Sequence, residues 1–214
     1  MQPLKLQKTA QFDIRLNVEY ELRDKNGNIK PLFTENTFGK YLLKAIRKLV
    51  EDPIDEEGHV RPGFFNYLGA YGLRIPLLTG SWNNTRRISN LMTNAGFASV
   101  ASRINGAGGE AAHTYIAVGT GTTAAAAGDT ALQTESTTNG LARANSTASR
   151  VTTTQTNDTA QLVNTFSVTG TVAVTESGVL NASSAGTLLC HQVFSAINVV
   201  NGDSLQITWK IQAH

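Results

Sequence analysis

Along Gln11–Arg23 apolar and polar residues alternate, with Phe12, Ile14, Leu16, Val18, Tyr20 and Leu22 on one side and Asp13, Arg15, Asn17, Glu19, Glu21 and Arg23 on the other. A period of two predicts a strand with one buried face. Asp24-Lys25-Asn26-Gly27-Asn28 supplies a turn, and Ile29–Phe33 is expected to return as the hairpin partner. The period changes over Thr37–Val50, where Phe38, Leu42, Ala45, Ile46 and Leu49 share a helical face and Lys40, Lys44, Arg47 and Lys48 lie largely outside it. Glu51–Gly63 reads as an exposed acidic loop, and the aromatic group Phe64, Phe65, Tyr67 and Tyr71 follows it. Gly80–Arg87 reads as another loop. Ser89 is expected to cap a second helix, Asn90–Ile104, with Leu91, Val100, Ala101 and Ile104 as core positions. Gly96 would let that helix pack closely on a sheet, and the glycines of Asn105–Gly109 would end it.

From Tyr115 onward the pattern is that of strands: Tyr115–Val118, Val151–Thr156, Leu162–Glu176 with Gly170 as a bulge or turn, and Thr187–Ser195. After an Asn201-Gly202-Asp203 turn, Leu205, Ile207, Trp209 and Ile211 alternate with Gln206, Thr208, Lys210 and Gln212. These four apolar residues are expected to form an inner face opposite that of the first strand. The elements predict a mainly β protein with helical decoration (α+β), an antiparallel β-sandwich with two helices. It reads as one domain over residues 1–214, with a helical and aromatic insertion at about 36–87.

Charge sharpens this picture. Residues 1–113 hold 15 of the 18 Lys+Arg and 11 of the 16 Asp+Glu, so residues 114–214 hold only 3 and 5. The second half, rich in Thr, Ser, Asn, Ala, Gly and Val, is either a β domain with a polar uncharged skin or a surface meant for burial against neighbouring copies. A net charge of +2 is too weak to predict a nucleic-acid partner. Cys190 is the only cysteine, which excludes an internal disulfide. No apolar run has the length of a signal peptide or of a membrane span, so the chain is expected to stay in the reducing compartment where it is made.

Reaction chemistry finds little support. Cys190 and His191 are neighbours, but on a strand they project to opposite faces and cannot form a dyad. No Gly-x-Ser-x-Gly elbow occurs, and His59, His113, His191 and His214 lack metal-ligand spacing. Asp55, Glu56 and Glu57 lack the alternating oxygen ligands of a calcium loop. Gly106-Ala107-Gly108-Gly109 and Gly119-Thr120-Gly121 lack the context of a phosphate loop and read as turn glycines. Trp82 with Arg86 and Arg87 has the residue types to stack on a base or sugar, or to meet a protein. The expectation is no catalytic residue, no cofactor and no metal.

Three stretches in order carry a family resemblance: Asn90-Leu91-Met92-Thr93-Asn94-Ala95-Gly96-Phe97, Tyr115-Ile116-Ala117-Val118-Gly119-Thr120-Gly121-Thr122-Thr123 and Gly128-Asp129-Thr130-Ala131-Leu132. They resemble the N-L-V-T-N-A-G, Y-I-A-L-G-T-G-T-T and G-D-T-A-L series of small structural proteins of tailed bacteriophages, of the tail-fibre or minor virion type. Glu176-Ser177-Gly178-Val179-Leu180-Asn181 is similar to their E-x-G-L-F-N, and Val193-Phe194-Ser195 with Asn201-Gly202-Asp203-Ser204-Leu205 to their closing hairpin. The resemblance covers residues 88–211 and departs from the family over about 36–87.

What it implies is a non-enzymatic virion subunit, made in the host bacterial cytoplasm, that assembles with itself and docks on the tail, head–tail junction or capsid. Capsid decoration (a head fibre) and a host-carbohydrate-binding fibre module are the alternatives, and no membrane partner is expected. The residues expected to carry contacts are Phe64, Phe65, Tyr67 and Tyr71, then Trp82, Arg86 and Arg87, and Gly119, Thr120, Gly121, Thr122 and Thr123 of the Gly119–Ala127 loop.

Overall fold

The computed structural model describes residues 14–35 and 80–213. By its internal contacts the chain divides into two compact units, residues 1–30 with 87–214, and residues 31–86. The expected first helix over Thr37–Val50, the acidic loop and the aromatic group Phe64, Phe65, Tyr67 and Tyr71 lie outside the described residues.

The protein is built mainly of β-sheet. The strands are β1 (Ile14–Arg23), β2 (Leu32–Glu35), β3 (Gly80–Asn83), β4 (Thr85–Ser89), β5 (Leu91–Met92), β6 (Tyr115–Gly119), β7 (Ala144–Asn145), β8 (Thr147–Val151), β9 (Thr159–Ser167), β10 (Val172–Leu180), β11 (Leu188–Val199) and β12 (Ser204–Ala213). One helix, α1 (Asn94–Asn105), occurs among the described residues. One five-stranded sheet has the order β4-β1-β12-β9-β8 and a second the order β5-β11-β10-β6-β7. β2 and β3 pair with each other as a two-stranded sheet. Every pairing whose register is described is antiparallel.

β1 follows its alternation: Leu16, Val18, Tyr20 and Leu22 are buried and the residues between them are not. Its neighbour is not the segment after the turn. Arg23 and Ile29 meet in a single bridge, and Leu32–Glu35 pairs with Gly80–Asn83. β1 instead lies beside β12, with Val18 opposite Trp209, Tyr20 opposite Ile207 and Leu22 opposite Leu205. The two apolar rows are therefore adjacent on one face of one sheet, rather than facing each other as expected. Across to the second sheet, the Tyr20 ring meets Phe194 at 4.4 Å between centroids, and the Trp209 indole N–H donates to Ser177 Oγ at 3.3 Å.

Three other expectations need correction. Gly80–Arg87 is strand, not loop: Trp82 falls in β3, Arg86 and Arg87 in β4, and Arg86 is 4% exposed. The polar strand expected at Val151–Thr156 sits earlier, over Thr147–Val151, whereas the chain does turn around Gly170 as expected, between β9 and β10, which belong to different sheets. The helix begins four residues late. Leu91 and Met92 extend against His191 and Cys190 of β11, and Thr93, not Ser89, caps the helix by accepting from the Gly96 amide.

Helix α1 presents its small residues to the protein. Gly96 and Ser99 are its buried positions, whereas Ala101 is exposed and Ile104 is 77% exposed. Gly96 allows the close packing expected of it, because a side-chain carbon there would overlap the Leu189 carbonyl oxygen. Thr93 ties the same corner by donating its hydroxyl to Leu188 O at 2.5 Å. The helix ends, as the glycines suggest, at Gly106 in left-handed conformation.

Candidate functional site

The two sheets differ in how their strands are covered. β12 alternates buried and accessible residues as far as Lys210, after which Ile211, expected on the inner face, is only half-buried and Gln212 is buried, while β10 is buried at every position from Val174 to Leu180. On β10, Ser177 faces Trp209 of the other sheet, so Glu176, Gly178 and Leu180 point away from that sheet. What covers them is the chain after β6: residues 119–135 form a strap over this outer face. Leu132 of the strap joins Ala117, Leu180 and Leu188 in a small buried cluster with Tyr115 at its margin.

A carboxylate lies at the centre of the covered face. Glu176 has no exposed surface, and its oxygens accept backbone N–H groups from Gly121 (2.9 Å), Thr134 (2.7 Å) and Gln133 (2.9 Å). Both ends of the strap are thus fastened to one side chain. His191, also fully buried, lies opposite Gly178 and reaches Glu176 Oε2 through Nε2 at 3.0 Å. Its Nδ1 meets Asp129 Oδ2 at 2.7 Å, and that oxygen also accepts the Ala126 amide. A histidine bridging two carboxylates therefore ties the strap's middle and ends to β10 and β11.

Close backbone approach requires the glycines. A side-chain carbon at Gly119 would overlap Thr134 O and Glu176 Oε1, and one at Gly121 would come within 2.6 Å of Gln133 Cβ. Gly119 and Gly121 are accordingly buried, while Thr120, Thr122 and Thr123 are exposed.

The electrostatics follow from this enclosure. Burial is the largest single influence on His191 and favours the neutral ring, but the hydrogen bonds and charges of Glu176 and Asp129 outweigh it and raise the pKa above the usual value. Burial likewise works against the Glu176 charge, yet His191 and the Thr134, Gln133 and Gly121 amides hold its pKa below the usual range. Asp129 is lowered first by its backbone hydrogen bond at Ala126, then by His191. Both ring nitrogens face carboxylate oxygens, an arrangement that favours the imidazolium form, in keeping with the direction of the shift.

Such an arrangement fastens. Both ring nitrogens are occupied, no serine, threonine or cysteine hydrogen-bonds to them, and the imidazole has no exposed surface. Cys190 faces away, opposite Val179, and burial pushes its thiol well above the usual pKa, so it is no thiolate at neutral pH. Among the described residues, no group of three His, Cys, Asp or Glu converges to hold a metal ion. Beside the strap an open groove of about 430 Å³ is lined by Asn90, Leu91, Thr122, Ala124, Ala125, Gln192 and Val193, none of them an acid, a base or a strong nucleophile.

The remaining carboxylates of residues 114–214 behave alike. Glu135 takes a bidentate ion pair from Arg143, whose guanidinium also donates to Ala182 O and Ala185 O. Asp158 accepts the Thr153, Thr154 and Gln155 amides, and Asp203 accepts Lys30 Nζ and the Val200 amide. All five acids in this half are internal fasteners.

Of the residues named from the sequence, the structure thus brings Gly119 and Gly121 to the Glu176 clasp and places the Trp82–Arg87 stretch in strands. The pattern missed Glu176, His191 and Asp129 as a unit. A signal was present: a lone glutamate within Val-Ala-Val-Thr-Glu-Ser-Gly-Val-Leu, and a histidine within Leu-Leu-Cys-His-Gln-Val-Phe, both in strands with little other charge. Isolated charges in apolar strands mark buried polar work. Comparison with family models, with curated proteins and with solved structures returns no match for this chain.

Proposed function

We propose that this chain is a non-enzymatic structural subunit of a tailed-phage virion, a β-sandwich that assembles with its own copies and docks on the tail, head–tail junction or capsid. The observation that carries the reading is the use of charge: the five carboxylates of residues 114–214 are all engaged in internal fastening. The surface left behind is mostly uncharged and Thr/Ser/Ala-rich, and it can be covered by a neighbour with little desolvation penalty. The motifs that carry the resemblance also build the scaffold. Gly119, Gly121, Asp129 and Glu176 form the strap and its clasp, while Asn94 N donates to Ala127 O and Thr93 caps α1. A face-to-face arrangement of the sheets agrees with the Trp209–Ser177 and Tyr20–Phe194 contacts.

The test is the native mass of the purified chain by light scattering, with negative-stain images of the same fraction. Rings, trimers or fibres of defined symmetry are expected. A chain that stays monomeric at every concentration, and does not bind tail, portal or capsid proteins, sinks the reading.

A further inference from the structure

His191 joins the middle of the strap to the outer face of the sheet. Its Nε2 meets Glu176 Oε2 at 3.0 Å and its Nδ1 meets Asp129 Oδ2 at 2.7 Å. Glu176 from β10 and Asp129 from the strap are the charged groups that face it. β5 brings only Leu91 and Met92 alongside, and α1 turns Gly96 and Ser99 to the protein, none of them titratable. A protonated ring donates to both carboxylates. A neutral ring carries a single N–H, so its other nitrogen sets a lone pair against a carboxylate oxygen, and one of the two contacts must part.

The two carboxylates are not equally free to leave. Glu176 has no exposed surface and also accepts the Gly121, Gln133 and Thr134 amides. The Asp129 side chain is 24% exposed, so water can take the place of the ring. Asp129 belongs to a turn that holds itself together: its own amide donates to Ala126 O at 3.0 Å, and the Ala126 amide donates to Asp129 Oδ2 at 2.8 Å. Open space lies where a Gly128 side chain would stand. Among the described residues, the turn's other tie is the Asn94 amide, which donates to Ala127 O at 2.8 Å. The strap's ends, in contrast, are braced to each other through Thr123 and Gln133 as well as to Glu176.

We propose that the Ala126–Asp129 turn is a proton-operated latch: when His191 loses its proton the turn lifts from β11, while both ends of the strap stay fastened to Glu176. Between about 4.5 and 6.5 the latch is closed, and it opens as pH rises through the folded His191 value, which the two carboxylates hold above 6.5. Two features follow the turn. Asn94, at the start of α1, loses the acceptor of its amide. Ala124 and Ala125, which line the groove beside the strap with Leu91, Gln192 and Val193, draw back from it. The proton on His191 therefore sets the width of that groove. The latch works within one chain and does not depend on its assembly.

The experiment is nuclear magnetic resonance of the full-length chain across pH, following the His191 ring carbons and the exchange protection of backbone amides. The expected result is that Asn94 loses protection about tenfold or more as the ring deprotonates, while Gly121, Gln133 and Thr134 change less than about twofold. Asp129→Asn supplies an amide nitrogen that can donate to the neutral ring, so in that variant Asn94 should stay protected through the same pH range. Asn94 protection that is unmoved by His191 deprotonation overturns the latch. So does loss of protection at all these amides together, a ring that keeps its proton until the whole chain unfolds, or a folded Asp129→Asn chain that still opens. Where Asp129→Asn fails to fold, the contrast between Asn94 and the amides bound to Glu176 decides alone.

Discussion

The strap over β10 and the loop between β8 and β9 are held by the same device in two settings. Glu176 accepts three backbone amides of the strap, and Asp158 accepts three from Thr153, Thr154 and Gln155. Asp158 also takes Gln212 Nε2 and the Thr159 hydroxyl. Hydrogen bonds, with Gln155 first, hold Asp158 far below the usual carboxylate range with no counter-ion needed. Glu176 accepts the same number of amides but has no exposure, and there His191 and Asp129 complete the charge balance. The difference teaches that three N–H donors satisfy the geometry of a carboxylate, whereas burial decides whether it also needs a cation.

Breaking the buried device should cost the most. Glu176→Ala leaves the Gly121, Gln133 and Thr134 N–H groups and the His191 ring without their acceptor. It is expected to lower the stability measured by urea unfolding by about 3–5 kcal/mol. Replacing all three ionisable groups by apolar ones does not rescue the fold, because the strap amides stay unpaired. His191→Gln removes the cation but keeps an amide nitrogen to donate to one of the two carboxylates, and a smaller loss of about 1–3 kcal/mol is expected. In a double-mutant cycle the pair Glu176→Ala, His191→Gln should lose less than the sum of the single changes. Gly121→Ala, which forces a carbon between Gln133 and the Glu176 carboxyl, should cost about 1–3 kcal/mol, with the strap amides exchanging faster.

pH sharpens the same contrast. Because the folded His191 pKa is raised, its contribution is fully present below 6.5 and lost as pH climbs through the raised value. Asp129 and Glu176 are lowered, so theirs is present above 3.8 and 4.5 and lost as pH falls through the folded values. The clasp should therefore stabilise the protein most between about 4.5 and 6.5. Unfolding midpoints measured across pH should show the alkaline limb flattened in His191→Gln. The least effect is expected from Asp158→Asn: faster amide exchange at Thr153, Thr154 and Gln155 with the global unfolding midpoint nearly unchanged.

Where one face meets a core and the other meets water, the alternation was readable, as in Leu16–Leu22 and Leu205–Trp209. It could not show that these rows are neighbours, because pairing Val18 with Trp209 is a long-range choice absent from either segment. The second sheet defeats the pattern more thoroughly. With both faces of β10 covered, Glu176 sits at a position that alternation assigns to solvent. His191 and Asp129 are 62 residues apart, and nothing local joins them. Gly96 and the helix-ending glycines were legible from steric need alone. The helix start was not, since Leu91 and Met92 gain ladder partners in β11 that only tertiary structure supplies.

The pairing of β1 with β12 also sets an order of events. A chain emerging from the ribosome presents Leu16, Val18, Tyr20 and Leu22 long before Leu205, Ile207 and Trp209 exist to lie beside them. The strap likewise waits for Glu176 and His191. The β10–β11 hairpin, joined by a short connection, needs no distant partner to pair. A nascent chain stopped before Ser204 lacks β12, the strand between β1 and β9, so a translation product cut short there has its first sheet split in two and stays sticky and open to proteases.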